Sequence, residues 1–387
     1  MLHKLRSLLL FLPLLASCAK AVDSAPDSAA DVTLPADVSA TAPAFPVPDW
    51  PLSTPAELGF DPAGLEAARA YSESIGGLCL VVIRHGKIAY EAYYNGASVT
   101  SQQKSWSMAK SFTSAAVGIA LKRGEIKSLD ESASTYIPAW KGTDHEPIKL
   151  IHLLNMVSGL HVNTLSDALF TLAPDMTADA IGLAVEATPN THYNYSNHET
   201  QLFEPILSQA TGMNPEAYVR KYLWQPLGFQ DTTFWDKDKM GHTTMFMGVE
   251  ASCRDYARLG LFWLHKGNWN GQQIVDEAYV AQTLAPSSPV NRAHSHYWWL
   301  NGFTPYINSQ NSQETTDVMM FPDAPPDLFS AQGLGQNFID VVPSTDTIYV
   351  HNRPMAMDNL EGLLNDGKMT EHRELLRLLL KAEIHQP

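Results

Sequence analysis

Ser105-Trp106-Ser107-Met108-Ala109-Lys110-Ser111-Phe112 opens a helix and sets two reactive groups one turn apart on it. Ser107 and Lys110 are three residues apart, so on a helix their side chains share a face. A serine hydroxyl is a poor nucleophile until a base takes its proton. A lysine is that base only where burial or neighbours depress its pKa. The run that follows, Phe112-Thr113-Ser114-Ala115-Ala116-Val117-Gly118-Ile119-Ala120-Leu121, is small and apolar on nearly all sides, as a helix inside a core must be. Its start would point N–H groups and a positive dipole end at the serine. The same S-x-x-K spacing recurs from Ser17 to Lys20 and from Ser101 to Lys104. The first lies in an N-terminal leader and the second has no apolar helix behind it. Context therefore selects Ser107, against the plain alternative of a capping serine beside a solvated lysine.

The chain around this helix has 387 residues, 45% hydrophobic and 17% charged, enough for one large or two medium folded domains. A net charge of −15 with no basic cluster beyond the N-terminus argues against a nucleic-acid partner. Met1-Leu2-His3-Lys4-Leu5-Arg6 is basic, and Leu8 to Leu15 is apolar but too short to span a bilayer. The run ends in Leu15-Ala16-Ser17-Cys18, which resembles a bacterial lipobox, with an ordinary secretory signal as the alternative. Residues 1–18 are therefore expected to be a lipoprotein signal peptide. Cys18 is then expected to be the lipidated residue that holds an exported protein at the cell envelope. Residues 19–45, rich in Ala, Asp, Ser, Thr, Pro and Val without apolar period, read as a flexible tether.

The folded domain is expected over 46–387, with a helical insert at about 125–290. Asp61 and Pro62 read as the cap and first position of a helix over 62–74. Leu78–Arg84 and Ile88–Tyr94 flank His85-Gly86-Lys87 as a hairpin. Strand character returns at Tyr297-Trp298-Trp299-Leu300, and Phe338–Val342 and Thr347–Val350 form a second hairpin. An amphipathic helix closes the chain at 370–384. Strands, helices, strands and helix in that order predict an α+β fold: an antiparallel sheet built from both chain ends and flanked by helices. Cys79 and Cys253 read as free buried thiols, with pairing as the alternative in an oxidising compartment. His294-Ser295-His296 reads as exposed loop histidines, and no ligand-rich spacing points to a metal.

Two further strings complete a site. Tyr195, in Asn194-Tyr195-Ser196-Asn197, sits between a turn at Thr188–Thr191 and a helical run from Glu199. A phenol near a lysine ammonium is expected to have its pKa lowered and to carry protons between nucleophile and leaving group. The other Y-x-N strings, at Tyr93 and Tyr306, lack that setting. Phe329-Ser330-Ala331-Gln332-Gly333-Leu334-Gly335-Gln336-Asn337 is glycine-rich and feeds a strand. Its edge can approach a substrate closely, and its N–H can complete an oxyanion hole with that of Ser107.

In this order and spacing, the three strings resemble the serine β-lactamase-related superfamily over roughly residues 50–385. That group holds class C β-lactamases, D-alanyl-D-alanine peptidases, family VIII-type carboxylesterases and 6-aminohexanoate-dimer hydrolases. Gly248 to Gly260 and Trp298-Trp299 resemble the esterase and amide-hydrolase branch most. The resemblance implies Ser107 as nucleophile, Lys110 as base and Tyr195 as the second-motif tyrosine. It implies Asn197 as the asparagine that bonds the substrate amide. Ala331-Gln332-Gly333 falls where β-lactamases have Lys-Thr-Gly, so Gln332 faces substrate and Leu334, or Gly333 on a one-residue slip, supplies the oxyanion N–H. No cofactor and no metal are implied, and the partner is a small ester or amide substrate.

The third string is also the departure. Alanine replaces a lysine that helps hold a substrate carboxylate, and 326–340 carries no positive charge. Losing one charge-assisted hydrogen bond costs roughly 1.5–3 kcal/mol, about tenfold to a hundredfold in affinity. An esterase or amidase is therefore expected ahead of a β-lactamase or peptidase, with Arg353 as a distant cation that could compensate. The rival of another class is a catalytically idle lipoprotein that binds peptidoglycan or a partner. The lipobox reading predicts that Cys18→Ser releases the protein from membranes or blocks its processing. Unchanged fractionation with unaltered processing would count against it.

Overall fold

The computed structural model describes residues 44–163, 167, 169–309, 315–354 and 369–384. The leader, Cys18 and the tether as far as residue 43 lie outside them. Seven strands make the main sheet: β1 (Cys79–Arg84), β2 (Lys87–Tyr93), β3 (His294–Ser295), β4 (Trp298–Leu300), β5 (Phe329–Gly333), β6 (Asn337–Val342) and β7 (Thr347–Asn352). Their spatial order is β2-β1-β7-β6-β5-β4-β3, antiparallel throughout. The N-terminal hairpin thus docks on the C-terminal one, as the order of elements predicted. β1, β6 and β7 are buried along their whole length. That is why Cys79–Ile83 of β1 reads as a continuous apolar run rather than as an alternating one.

Alternation along the strands sends successive residues to opposite faces. On one face, α5 (Cys253–Leu264) crosses so closely that a Cβ on Gly260 would lie 2.9 Å from Ile339 and Ile348 side chains. On the other, α1 (Pro62–Ser74) and α6 (Thr370–Lys381) lie together. A Cβ on Gly64 of α1 would come 2.8 Å from the Ala382 side chain. Asp61 caps α1 through bonds from the Ala63 and Gly64 N–H groups, with Pro62 at the first position. On the α6 face Phe338 stacks on His372 at 3.9 Å, and His372 Nε2 lies 2.7 Å from the buried carboxylate of Asp340.

α2 (Ala109–Lys122) is buried from Ala109 to Ala120. Small residues let its neighbours close in: a Cβ on Gly118 would meet the Tyr279 ring at 2.8 Å. Its hydroxyls are not stranded. Ser111 donates to the Tyr297 carbonyl at 2.9 Å and Thr113 to that of Met245 at 2.7 Å. Between α2 and the later strands come short helices, including α3 (Asn197–Gln201) and α4 (Phe203–Thr211). A small sheet of Gln103–Lys104, Val249–Ala251 and Phe234–Trp235 also lies here and braces the entry to α2.

The thiols are not free. Cys79, the first residue of β1, is disulfide-bonded to Cys253, the first of α5, with Cα atoms 6.6 Å apart. The pairing follows from α5 lying across the sheet, a proximity that 174 residues of separation hide in the sequence. The histidines differ from expectation as well. His294 and His296 are buried, because β3 is tucked against Tyr193, Tyr279 and Trp299. Removing a native disulfide typically costs about 2–5 kcal/mol. Cys253→Ser, or reduction of the unaltered protein, should therefore lower the thermal unfolding midpoint by several degrees. Equal midpoints with and without reductant would contradict a structural bridge.

Candidate active site

Ser107 is delivered by a strand, not simply by a helix start. Ser105 N–H donates to the Val249 carbonyl at 2.8 Å, and its Oγ accepts from the Val249 N–H at 3.0 Å. The buried Tyr256 hydroxyl clamps the same strand pair by donating to the Val249 carbonyl at 2.9 Å. The chain then turns sharply: Trp106 takes φ 48°, and Trp106–Met108 form a single 3-10 turn that runs into α2. A left-handed conformation at a tryptophan is costly and persists only where the surroundings impose it. Ser107 thus sits in the 3-10 turn at the mouth of the helix.

Lys110 is 2% exposed. Its Nζ lies 3.0 Å from Ser107 Oγ, 2.7 Å from Asn197 Oδ1 and 3.3 Å from the Phe246 carbonyl oxygen. Burial pushes its pKa down to about 7, against the opposing pull of the Asp167 carboxylate. The depression expected of a base at this position is present, and desolvation is its cause.

Tyr195 stands just before Ser196, whose side chain caps α3 by accepting the Glu199 N–H at 3.1 Å. That cap brings the tyrosine and Asn197 to the same side as Lys110. The Tyr195 ring centroid is 4.9 Å from Lys110 Nζ. Its pKa behaves opposite to expectation. Burial lifts the phenol well above its ordinary range, a hydrogen bond with Ser107 lowers it less, and Asp167 adds to the rise. The reason is the depth of burial, which disfavours the phenolate more than the neighbouring groups favour it. Tyr195 rests as a protonated phenol.

The end of β5 passes directly beside this turn. A Cβ on Gly333 would fall 2.4 Å from the Ser105 carbonyl oxygen and 3.3 Å from the Ser107 N. Only glycine lets the strand come so near the nucleophile's backbone. Gly335 at φ 85° and Gln336 at φ 62° turn the chain, and Asn337 Nδ2 donates to the Leu334 carbonyl at 2.6 Å. A cleft opens here, lined by Ser107, Tyr195, Gln332, Gly333 and Leu334 from the expected set. Its far wall holds residues that the sequence reading did not assign to a site: Trp299, Tyr306, Met369 and His372. Trp299 stacks on Tyr195 at 5.9 Å and meets the edge of Tyr306 at 6.0 Å. Its signal was the aromatic run at 297–299, which reads equally well as core. Tyr306 belonged to a discarded Y-x-N string.

Among the described residues that line the cleft there is no lysine, arginine, aspartate or glutamate. Arg353 does not compensate for Ala331: its guanidinium donates to the Ile75 carbonyl at 3.1 Å. Asn197 lies behind the cleft wall, bonded to Lys110 and to Asp167. Asp167, absent from the sequence reading, has no motif to announce it. Burial drives His294 and His296 down to about 3, so both are neutral packing groups. Among the described residues, Asp175, Asp238 and His242 have ligand atoms close enough to share an ion. Their oxygens already accept backbone N–H groups of Ala178, Met176, Met240 and His242.

The family model for Beta-lactamase matches residues 63–351. A β-lactamase from Pseudomonas fluorescens is 29% identical over 173 residues, 41% of this chain and 46% of that protein. A 6-aminohexanoate-dimer hydrolase from Paenarthrobacter ureafaciens is 20% identical over 250 residues, 57% of this chain and 64% of that one. The chain thus matches less than two thirds of the length of these curated relatives. A class C β-lactamase from Rhodobacter sphaeroides shares the fold, with a TM-score of 0.58 at 19% identity over 81% of this chain and 99% of that one.

One further buried acid adjoins the site. Glu199 on α3 is 1% exposed, and burial raises its pKa to about 8 although Ser158 bonds to it. In the unfolded chain it would titrate near 4.3. The folded state therefore binds more protons between those values, and this group's contribution to stability falls as pH rises from about 4.3 through 8. Glu199→Gln should remove that loss, so its unfolding midpoint should decline less than the parent's between pH 6 and pH 9. Parallel declines would show that Glu199 ionises freely.

Proposed function

The chain belongs to the Beta-lactamase family, a family of serine hydrolases, and we propose from this that it cleaves an uncharged ester or amide through an acyl-enzyme on Ser107. The observation that carries the reading is a dry lysine, 3.0 Å from the serine oxygen, with its pKa pushed down to about 7. Near neutral pH about half of such lysines hold a free lone pair, against about one in 2,500 at an unperturbed value. Ser107 Oγ attacks the carbonyl carbon as its proton passes to Lys110. The developing oxyanion lies against the N–H groups of Ser107 and Leu334, with Gly333 as the alternative donor. Tyr195, protonated at rest, gives its proton to the departing alkoxide or amine, and the Lys110 ammonium restores it. Water then attacks the acyl carbon by the reverse relay, which returns the proton to Ser107.

The lack of a lysine or arginine among the described lining residues favours this reading over a β-lactamase or D-alanyl-D-alanine peptidase, whose substrates carry a carboxylate. Ala331 supplies no cation, and Trp299 and Tyr306 offer apolar area instead. The name of the related 6-aminohexanoate-dimer hydrolase points to an amide substrate that itself ends in a carboxylate, so that relative supports cleavage of an amide and not the absence of charge. We also propose that lipidated Cys18 holds the hydrolase at the cell envelope, with the tether carrying the domain clear of the membrane.

A fluorophosphonate probe should label the parent and not Ser107→Ala; a parent that takes no label would favour an idle binding protein. With an activated nitrophenyl ester, kcat/KM should rise about tenfold per pH unit below pH 7 and level off above it, as Lys110 loses its proton. Lys110→Arg keeps the charge but not the base, and should cut the acylation burst by about 10²–10⁴-fold. Short-chain esters should outrun a chromogenic cephalosporin. A burst in Lys110→Arg as fast as the parent's, or a preference for the cephalosporin, would overturn this assignment.

A further inference from the structure

Asp167 lies behind the reactive pair and touches neither member of it. Its Oδ1 accepts the Asn197 backbone N–H at 2.8 Å, and its Oδ2 accepts the Asn197 side-chain Nδ2–H at 2.7 Å. Asn197 Oδ1 in turn accepts from Lys110 Nζ at 2.7 Å. These bonds remove an ambiguity that an asparagine amide ordinarily has. A carboxylate only accepts, so the amide nitrogen must face Asp167. The amide oxygen must then face Lys110. With the amide reversed, an N–H would point at the ammonium, and Lys110 would lose its shortest bond.

We propose that Asp167 is a positioning residue for the hydrolytic site: it fixes Asn197 as an acceptor for Lys110 and sets the pH range over which that lysine serves as a base. The proposal rests on the reading of Ser107 and Lys110 as the reacting pair. The amide clamp supplies geometry and the carboxylate supplies charge. The negative charge favours the Lys110 ammonium and opposes the burial that disfavours it. A site with burial alone would leave the lysine neutral but too weak a base to take a serine proton readily.

Other groups around Lys110 act differently. His294 faces it from β3 and is neutral. Tyr195 is a protonated phenol over which the ammonium sits. His198 Nδ1 lies 3.0 Å from Asp167 Oδ1, its ring stacked on Phe170 at 3.7 Å, and its Nε2 is 3.5 Å from Asp179. Glu199 is buried farther along α3 and holds its proton to about 8. Among the described groups here, Asp167 is the carboxylate that acts on Lys110 itself. His198 and Phe170 hold Asp167 from the other side, so the clamp is itself braced.

The test reads Lys110 directly. Protein labelled with 13Cε-lysine is titrated by NMR, and the Lys110 signal is assigned by its loss in Lys110→Arg. In Asp167→Asn the Lys110 midpoint should fall by about half to one pH unit. The rising limb of kcat/KM should move down by the same amount, and its plateau should drop about tenfold to a hundredfold as Asn197 loses its orientation. Asp167→Glu, which keeps the charge, should hold the midpoint near the parent's while recovering only part of the plateau. A general loss of structure would expose Lys110 and raise its midpoint toward about 10.4, the opposite direction. Should Asp167→Asn not fold, Asp167→Ser removes the charge while leaving a hydroxyl to accept from the Asn197 N–H. A Lys110 midpoint unmoved in the charge-removing variant overturns the proposal. The NMR midpoint needs no substrate. If the parent turns over no ester, the hydrolase reading fails, while the midpoint still decides the role of Asp167.

Discussion

A lysine amine held dry beside a serine oxygen is the constraint that the surrounding structure serves. A fall from 10.5 to about 7 is a net penalty of about 5 kcal/mol on the ammonium. Burial of an isolated charge would cost far more; the Asp167 carboxylate opposes that cost, and Ser107, Asn197 and Phe246 give the amine hydrogen-bond acceptors. Each acceptor comes from a different element: the 3-10 turn, α3, and the loop ahead of Val249–Ala251. The packing of α2 is arranged to bring them in. Its small side chains admit close neighbours, and its hydroxyls satisfy the carbonyls of Tyr297 and Met245 that this closeness would otherwise strand.

The turn that carries Ser107 shows the same economy of space. Trp106 holds a left-handed backbone that an isolated chain would seldom adopt. It is held on one side by strand pairing from Ser105 to Val249 and on the other by Gly333, which presses to within contact of the Ser107 nitrogen. The sheet brings this about. β5 is kept in register by Ala331 opposite Ile339 and Gly333 opposite Asn337, so the strand end cannot slide along the turn. The covalent tie from β1 to α5 acts at one remove, since α5 carries the Tyr256 hydroxyl that clamps Val249.

The parts legible in the sequence are those whose physics is local. Asp61-Pro62 marks a helix start, two apolar runs flank the turn at His85-Gly86-Lys87, and the Ser107–Lys110 spacing needs only one helical turn. The fold was readable because both chain ends carry strands that have no other partner to pair with. What stayed hidden depends on distances between remote segments. Cys79 and Cys253 are joined across 174 residues. His294 and His296 look like loop residues until β3 is seen packed against aromatic rings. The phenol of Tyr195 was expected to be acidified by a neighbouring cation. The outcome turned on the depth of burial, which a spacing does not encode. Asp167 belongs to no motif and gains its meaning only through the two bonds to Asn197.

Charge in this site has been placed behind the reacting atoms rather than in front of them. A cation on β5 would offer a substrate carboxylate a partner, but it would also add positive charge beside Lys110 and depress that base further. Ala331 removes both effects at once. Among the described residues, the carboxylate that acts on Lys110 is that of Asp167, reached through an amide and bonded to His198. In the proposed hydrolase, affinity would then come from apolar area along Trp299, Tyr306 and Met369, where burial is worth about 25 cal/mol per Å², and rate from the alignment of Ser107, Lys110 and Tyr195. Separating the two in space lets the cleft wall vary with the substrate while the proton-handling groups behind it stay fixed.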